Sequence, residues 1–182
     1  MGGYQALSYL WAALLLAVIS GSWIMEAQLT SAQAESDGAG LTVGARPPEF
    51  SATDLNGSSH TLRQYQGKIV VLHFWASWCP YCRGEIPKLT RLQEEWASKG
   101  VAVLAISADE DVAQLKRFVA KERLPYPVIA DAEARSSVAS RYRLAGVPTT
   151  YVVARDGRIA SRIEGRGDLI GAVQRALSQS PS

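Results

Sequence analysis

The sequence predicts an α/β domain, a mixed central sheet flanked by helices and opened by an N-terminal β-hairpin. Three observations lead there. Short, apolar, β-branched runs alternate with amphipathic runs of helical period between Lys68 and Leu144, the pattern of strands joined by crossover helices. Two further apolar runs then meet at Asp156-Gly157, a hairpin-turn dipeptide, and one more amphipathic run closes the chain. Of the 182 residues 47% are hydrophobic and 20% charged, enough to bury a core without disulfide staples.

Taken in order, the chain opens with Ala6 to Met25, ALSYLWAALLLAVISGSWIM, an uncharged run of 20 residues with Trp11 and Trp23 towards its ends. That length spans a bilayer, so residues 1–25 are expected to be a transmembrane anchor. A cleaved signal peptide is the rival reading, because Ala32-Gln33-Ala34 resembles a small-residue cleavage site, although it lies well beyond the apolar run. No Lys or Arg precedes Arg46, so local charge does not orient the segment. Residues 26–42 are polar and small and read as a flexible linker, leaving residues 43–182 for the folded domain.

Within that domain, Arg46 to Leu55 alternates apolar with polar residues, Asn56-Gly57 signals a tight turn, and Ser58 to Leu62 resumes the pattern. Ile69-Val70-Val71-Leu72 reads as a buried strand and Tyr81 to Trp96 as a helix, with Pro87 expected to kink it. Val101 to Ser107 is a second buried strand; Asp109 to Glu122 carries Val112, Leu115, Phe118 and Val119 at helical spacing. After Pro125-Tyr126-Pro127 come a short strand at Val128 to Ala130 and a helix from Ala134 to Leu144, ended by Gly146. Thr149 to Ala154 then pairs with Arg158 to Glu164, and a final helix runs from an Asp168 cap to about Ser178.

The chemistry concentrates where the first buried strand hands over to its helix, in Cys79-Pro80-Tyr81-Cys82. Unpaired backbone N–H groups at a helix start favour a thiolate, the attacking form in disulfide exchange, which makes Cys79 the candidate nucleophile. Three residues on, Cys82 faces the same side one turn deeper, placed to resolve a mixed disulfide. Only two cysteines are present and both lie in this motif, which argues for a redox pair over a structural framework. Zinc would want four ligands, and the only histidines are His60 and His73, so no metal is expected. Residues 1–45 hold three acids and no base, so the domain carries 19 basic against 14 acidic side chains, a scattered net +5 that makes no case for nucleic acid.

Phe74-Trp75-Ala76-Ser77-Trp78-Cys79-Pro80-Tyr81-Cys82-Arg83-Gly84-Glu85-Ile86-Pro87, with Gly146-Val147-Pro148-Thr149-Thr150-Tyr151 and Asp156-Gly157 downstream, resembles the TlpA/ResA-like (DsbE/CcmG-like) group of thioredoxin-fold proteins. The resemblance covers about Leu41 to the C-terminus. It implies a thioredoxin-like fold with a central insertion, and a membrane-anchored thiol–disulfide oxidoreductase with no cofactor beyond a redox-active Cys79–Cys82 disulfide. It also implies a cis bond between Val147 and Pro148 that sets backbone against the cysteine pair for substrate binding. Glu85 matches the active-site acid of the group, where it would disfavour thiolate formation at Cys82 and relay the resolving proton; the plain alternative is a solvated first-turn carboxylate.

His73 departs from the group, which usually has a polar amide there, whereas thioredoxins have a buried acid. It is either a proton relay beneath Cys82 or a histidine hydrogen-bonded in the core. Trp75 is expected in the core, and Trp78 and Tyr81 in an exposed apolar rim that meets a partner.

The resemblance further implies a single-pass protein of the cell (inner) membrane with its domain extracytoplasmic, or a periplasmic protein if the N-terminus is cleaved. Expected substrates are protein disulfides such as those of apocytochrome c in cytochrome c maturation, with a membrane dithiol donor of the CcdA/DsbD type recharging the pair. Two other classes stand beside this. A peroxiredoxin-class peroxidase would want Pro-x-x-x-Thr-x-x-Cys, but Trp75-Ala76-Ser77-Trp78 precedes Cys79. A thioredoxin-like copper chaperone of the Sco type would want Cys-x-x-x-Cys and a distant histidine, and no histidine follows His73.

Overall fold

Buried β-branched runs supply the frame. The computed structural model describes residues 41–131 and 138–179, and the expected anchor, most of the linker and the start of the Ala134 helix lie outside them. A short antiparallel hairpin comes first, β1 (Ser51–Thr53) and β2 (Ser59–Thr61), turning at Gly57 with φ +88°. A 3₁₀ turn over Leu62–Tyr65 follows, closed by a reciprocal Thr61–Gln64 capping box.

The central sheet holds β3 (Ile69–Trp75), β4 (Val101–Ser107), β5 (Val128–Ala130), β6 (Thr149–Val153) and β7 (Ile159–Glu164) in the order β5-β4-β3-β6-β7. β3 runs parallel to β4, β4 parallel to β5, and β6 antiparallel to both β3 and β7. The sheet is therefore mixed. β3 is its middle strand, and every residue of it is buried, which is why it reads as an unbroken apolar run with one histidine. The expected insertion is the helix–strand pair between β4 and the Val147-Pro148 segment, and its β5 forms the parallel edge of the sheet.

The helices are α1 (Pro80–Arg83), α2 (Ile86–Trp96), α3 (Val112–Glu122), α4 (Val138–Arg141) and α5 (Leu169–Gln179). Side chains of β3 alternate between two cores. Ile69, Val71 and Trp75 join both cysteines, Leu89 and Leu92 of α2, Leu115 of α3 and Val173 of α5. Val70, Leu72 and Phe74 join Phe50, Leu62, Tyr142 and Tyr151 on the other face.

One expected element is divided. The run from Tyr81 to Trp96 is two helices, because Gly84 ends α1 and Glu85 stands as the residue before α2. Pro87 accordingly lies in the first turn of α2, where its missing N–H leaves no hydrogen bond broken, and does not kink a continuous helix. Asp109 also differs from expectation: it precedes α3, whose cap is Asp111, accepting from the Gln114 N–H at 2.9 Å.

Candidate functional site

Three chain segments meet at the C-terminal end of β3: the Ala76 to Cys82 turn and helix, the Val147-Pro148 segment, and the loop after β7. Cys79 is the N-cap of α1, with extended backbone, and its Sγ accepts from the Cys82 N–H at 3.3 Å. Pro80 occupies the first turn, where no N–H is needed. Since α1 is only four residues long, what the Cys79 sulfur meets is this one local N–H and not the macrodipole of a long helix. On its other side, the Cys79 Sγ lies 3.9 Å from the Val147 carbonyl oxygen, and the Val147–Pro148 peptide is cis.

Cys82 is fully buried. Burial first, and then its hydrogen bond to the Cys79 sulfur, push its thiol up to about 12. Both cysteines are free thiols. Both are also buried, Cys79 at 5% exposure, yet the pair is unequal: the Cys79 sulfur takes a backbone hydrogen bond and the other is a protonated thiol. Such an arrangement suits sequential attack and resolution, in which the deeper sulfur must lose its proton before it acts.

Around the pair, Trp78 is 63% and Tyr81 57% exposed, two large apolar side chains left facing solvent beside the cysteines. Trp75, two residues before Ser77, points instead into the core against Phe118. Glu85 is only 3% exposed, and its carboxylate pairs with Lys88 Nζ at 3.1 Å. It is therefore not a solvated carboxylate.

His73 lies between Val71 and Trp75 on β3, so alternation places it on the face shared with the cysteines. Its Nδ1 is 2.8 Å from Thr150 Oγ1, while Nε2 is buried with no hydrogen-bond partner among the described residues. Burial lowers its pKa to about 3, so the imidazole is neutral in any ordinary buffer. Trp75 Nε1 on the same face is likewise buried and unpartnered among the described residues.

The structure adds residues that sequence reasoning missed. Asp109, buried just past β4, accepts from the Ser77 N–H at 2.8 Å, from Ser77 Oγ at 2.6 Å and from Ser107 Oγ. From the other side, Arg83 Nε donates to the Ser77 carbonyl at 2.7 Å and its guanidinium lies over the Phe118 ring. The turn that carries Trp78 and Cys79 is thereby held at both polar groups of one peptide segment. A signal was available: two polar residues spaced Ser107-x-Asp109 directly after a buried strand face the strand ends, where sites of open α/β sheets gather. Arg166, whose guanidinium carbon sits 4.8 Å from the Tyr81 ring centroid, was also missed.

Comparison with known proteins agrees with this geometry. Residues 43–162 match the AhpC/TSA family. The chain is 33% identical over 125 residues to the thiol-disulfide oxidoreductase ResA of Bacillus thuringiensis subsp. konkukian, covering 69% of this chain and 71% of that one. It is 35% identical over 123 residues to the thioredoxin-like protein YneN of Bacillus subtilis, covering 66% and 70% respectively. Among solved structures, a DsbE thiol:disulfide interchange protein from Chlorobium tepidum superposes with a TM-score of 0.69 at 26% identity, covering 76% of this chain and 99% of that one. On the strength of these matches and of the paired thiols at the strand end, the chain belongs to the AhpC/TSA family as a ResA/DsbE-like, thioredoxin-fold thiol–disulfide oxidoreductase.

Proposed function

We propose that the protein reduces protein disulfides outside the cytoplasm, tethered by residues 1–25 through the 26–42 linker. In this reading it keeps apocytochrome c cysteines reduced for haem attachment and is recharged by a membrane dithiol donor of the CcdA/DsbD type. The inequality of the two sulfurs is the observation that carries the exchange mechanism, since Cys79 caps α1 while Cys82 is fully buried with its proton held up to about 12.

The Cys79 thiolate attacks one substrate sulfur. The substrate S–S bond breaks, the departing sulfur takes a proton, and Cys79 is left in a mixed disulfide. Cys82 then gives up its proton and attacks Cys79 Sγ, releasing the second substrate thiol and forming the Cys79–Cys82 disulfide. Two electrons have passed to the substrate, and the donor returns them. Glu85, buried three residues beyond Cys82, is the proposed acceptor of the Cys82 proton, while His73, held neutral by burial, serves as a core histidine bonded to Thr150. Exposed Trp78 and Tyr81, with half-buried Val147 and the backbone of buried Pro148 beside them, form the surface on which the substrate chain lies.

The test is covalent trapping. In Cys82→Ser the mixed disulfide has no resolving thiol, so substrate should accumulate on Cys79, visible on non-reducing gels and identifiable by mass spectrometry. Trapping by Cys79→Ser instead would reverse the two roles, and activity without trapping in either variant would remove the exchange mechanism. A redox titration of the full-length protein checks direction, because a strongly oxidising potential is incompatible with a reductase.

A further inference from the structure

The loop after β7 is built to present one cation. Gly165 and Gly167 flank Arg166, and each glycine has a separate reason to be there. Gly165 holds φ +66°, the left-handed region that other residues seldom adopt. A Cβ on Gly167 would come within 2.4 Å of Ile163 Cγ2, so only glycine lets the loop fold back on β7. The Gly165 N–H donates to the Pro148 carbonyl at 2.8 Å, tying the loop to the segment beside Cys79. Arg166 then lies over Tyr81, the exposed aromatic of the Cys79-Pro80-Tyr81-Cys82 motif.

Neighbouring charges on this loop are engaged elsewhere. Glu164 pairs with Arg162, and Asp168 pairs with Arg175 while accepting from the Gly171 N–H. A guanidinium held over a ring face by its carbon still has N–H groups to offer, and a guanidinium edge takes a carboxylate through two parallel hydrogen bonds. Arg166 itself is solvent-exposed, and the domain around it carries a net +5.

We propose that Arg166 is a specificity-determining residue that selects disulfides flanked by an acidic side chain. A substrate strand lying across Trp78, Tyr81 and Pro148 with its sulfur at Cys79 would place an adjacent Asp or Glu against the guanidinium edge. The inference rests on that surface being the substrate rim, as proposed above. An exposed pair of this kind is worth a few-fold in rate, exerted chiefly on encounter and screened by salt.

The experiment uses the full-length protein and three cyclic peptides that differ only beside the disulfide, carrying Glu, Gln or Lys there. The wild type should reduce the Glu peptide with a kcat/KM about twofold to fivefold above the Lys peptide, and the ratio should shrink towards one at high ionic strength. Arg166→Gln should bring that ratio to about one at low salt, Arg166→Glu should invert it, and Arg166→Lys should keep part of it. A preference for the Glu peptide that survives Arg166→Gln overturns the assignment. If the wild type reduces none of the three peptides, it is the reductase reading that has failed, and the two failures are told apart by the wild-type lane alone.

Discussion

The two faces of β3, four residues on one and three on the other, are both buried and do opposite things. On the even face Phe74 packs against Tyr142 and Tyr151 with ring centroids 4.9 and 6.1 Å apart, and the two tyrosines meet at 5.3 Å. The polar tips there are satisfied: Tyr142 donates to the Pro48 carbonyl at 2.9 Å and Tyr151 to the Tyr142 carbonyl at 3.4 Å. The odd face holds the two thiols together with His73 Nε2 and Trp75 Nε1, both without a hydrogen-bond partner among the described residues, and buried Glu85 follows just before α2. Buried polar groups without partners are costly, so a fold keeps them where they serve something other than stability. One face anchors the strand, and the other spends part of that stability on chemistry.

The largest expected effect breaks the anchoring face. Tyr142→Ala removes a fully buried ring from a three-ring cluster along with its hydrogen bond to Pro48, at a cost of about 3 to 5 kcal/mol. Denaturant unfolding should show that loss, while the folded fraction retains its disulfide-exchange rate. A rate that falls with the ring, in protein still fully folded, would mean the two faces are coupled and the division is wrong.

A smaller effect sharpens the comparison from the reactive side. His73 has a pKa of about 3 when folded, against 6.5 as the ordinary value. Between those values the unfolded chain binds a proton that the native state does not. Stability from this group is therefore complete above about pH 6.5 and is lost as pH falls towards 3. From pH 7 to 4.5 the loss should be about 2 to 3 kcal/mol. Urea titrations of wild type and His73→Gln at both pH values isolate the histidine, since other acid-sensitive groups such as the Asp54–His60 pair are common to both proteins. Equal pH slopes would show that His73 is protonated in the native state after all.

The same contrast explains what could be read from the sequence. Strands and helices followed from apolar periodicity, because burial on both sides of β3 and β4 writes unbroken apolar runs that are hard to mistake. The cysteine motif was legible since its residues are contiguous. The break between α1 and α2 was not, although Gly84 and Pro87 both stood in the sequence: amphipathic spacing continues through them, and only the backbone shows that Glu85 belongs to neither helix. Asp109 and Arg166 were missed for a different reason. Each acts on a residue far away in sequence, 32 positions for Asp109 on Ser77 and 85 for Arg166 on Tyr81; the Ser107-x-Asp109 spacing marks a strand end, but no local pattern names the partner at that distance.

The last prediction separates two buried carboxylates of the reactive side, whose surroundings assign them different work. Asp109 is saturated, with a backbone N–H and two serine hydroxyls all donating to it. Asp109→Asn turns one acceptor into a donor facing donors, and should cost about 1 to 2 kcal/mol while loosening the turn that carries Trp78. Glu85 has one ionic partner, Lys88, whose side chain is 44% exposed, so replacing its charge should cost under about 1 kcal/mol. If Glu85 takes the Cys82 proton, Glu85→Gln should slow release of a trapped mixed disulfide while leaving the first attack by Cys79 near the wild-type rate. Rapid-quench measurement of the two steps, beside unfolding curves for both variants, gives the comparison directly. Release slowed by Asp109→Asn and untouched by Glu85→Gln would exchange the two assignments, making Asp109 the group that governs proton loss and Glu85 a structural ion-pair partner.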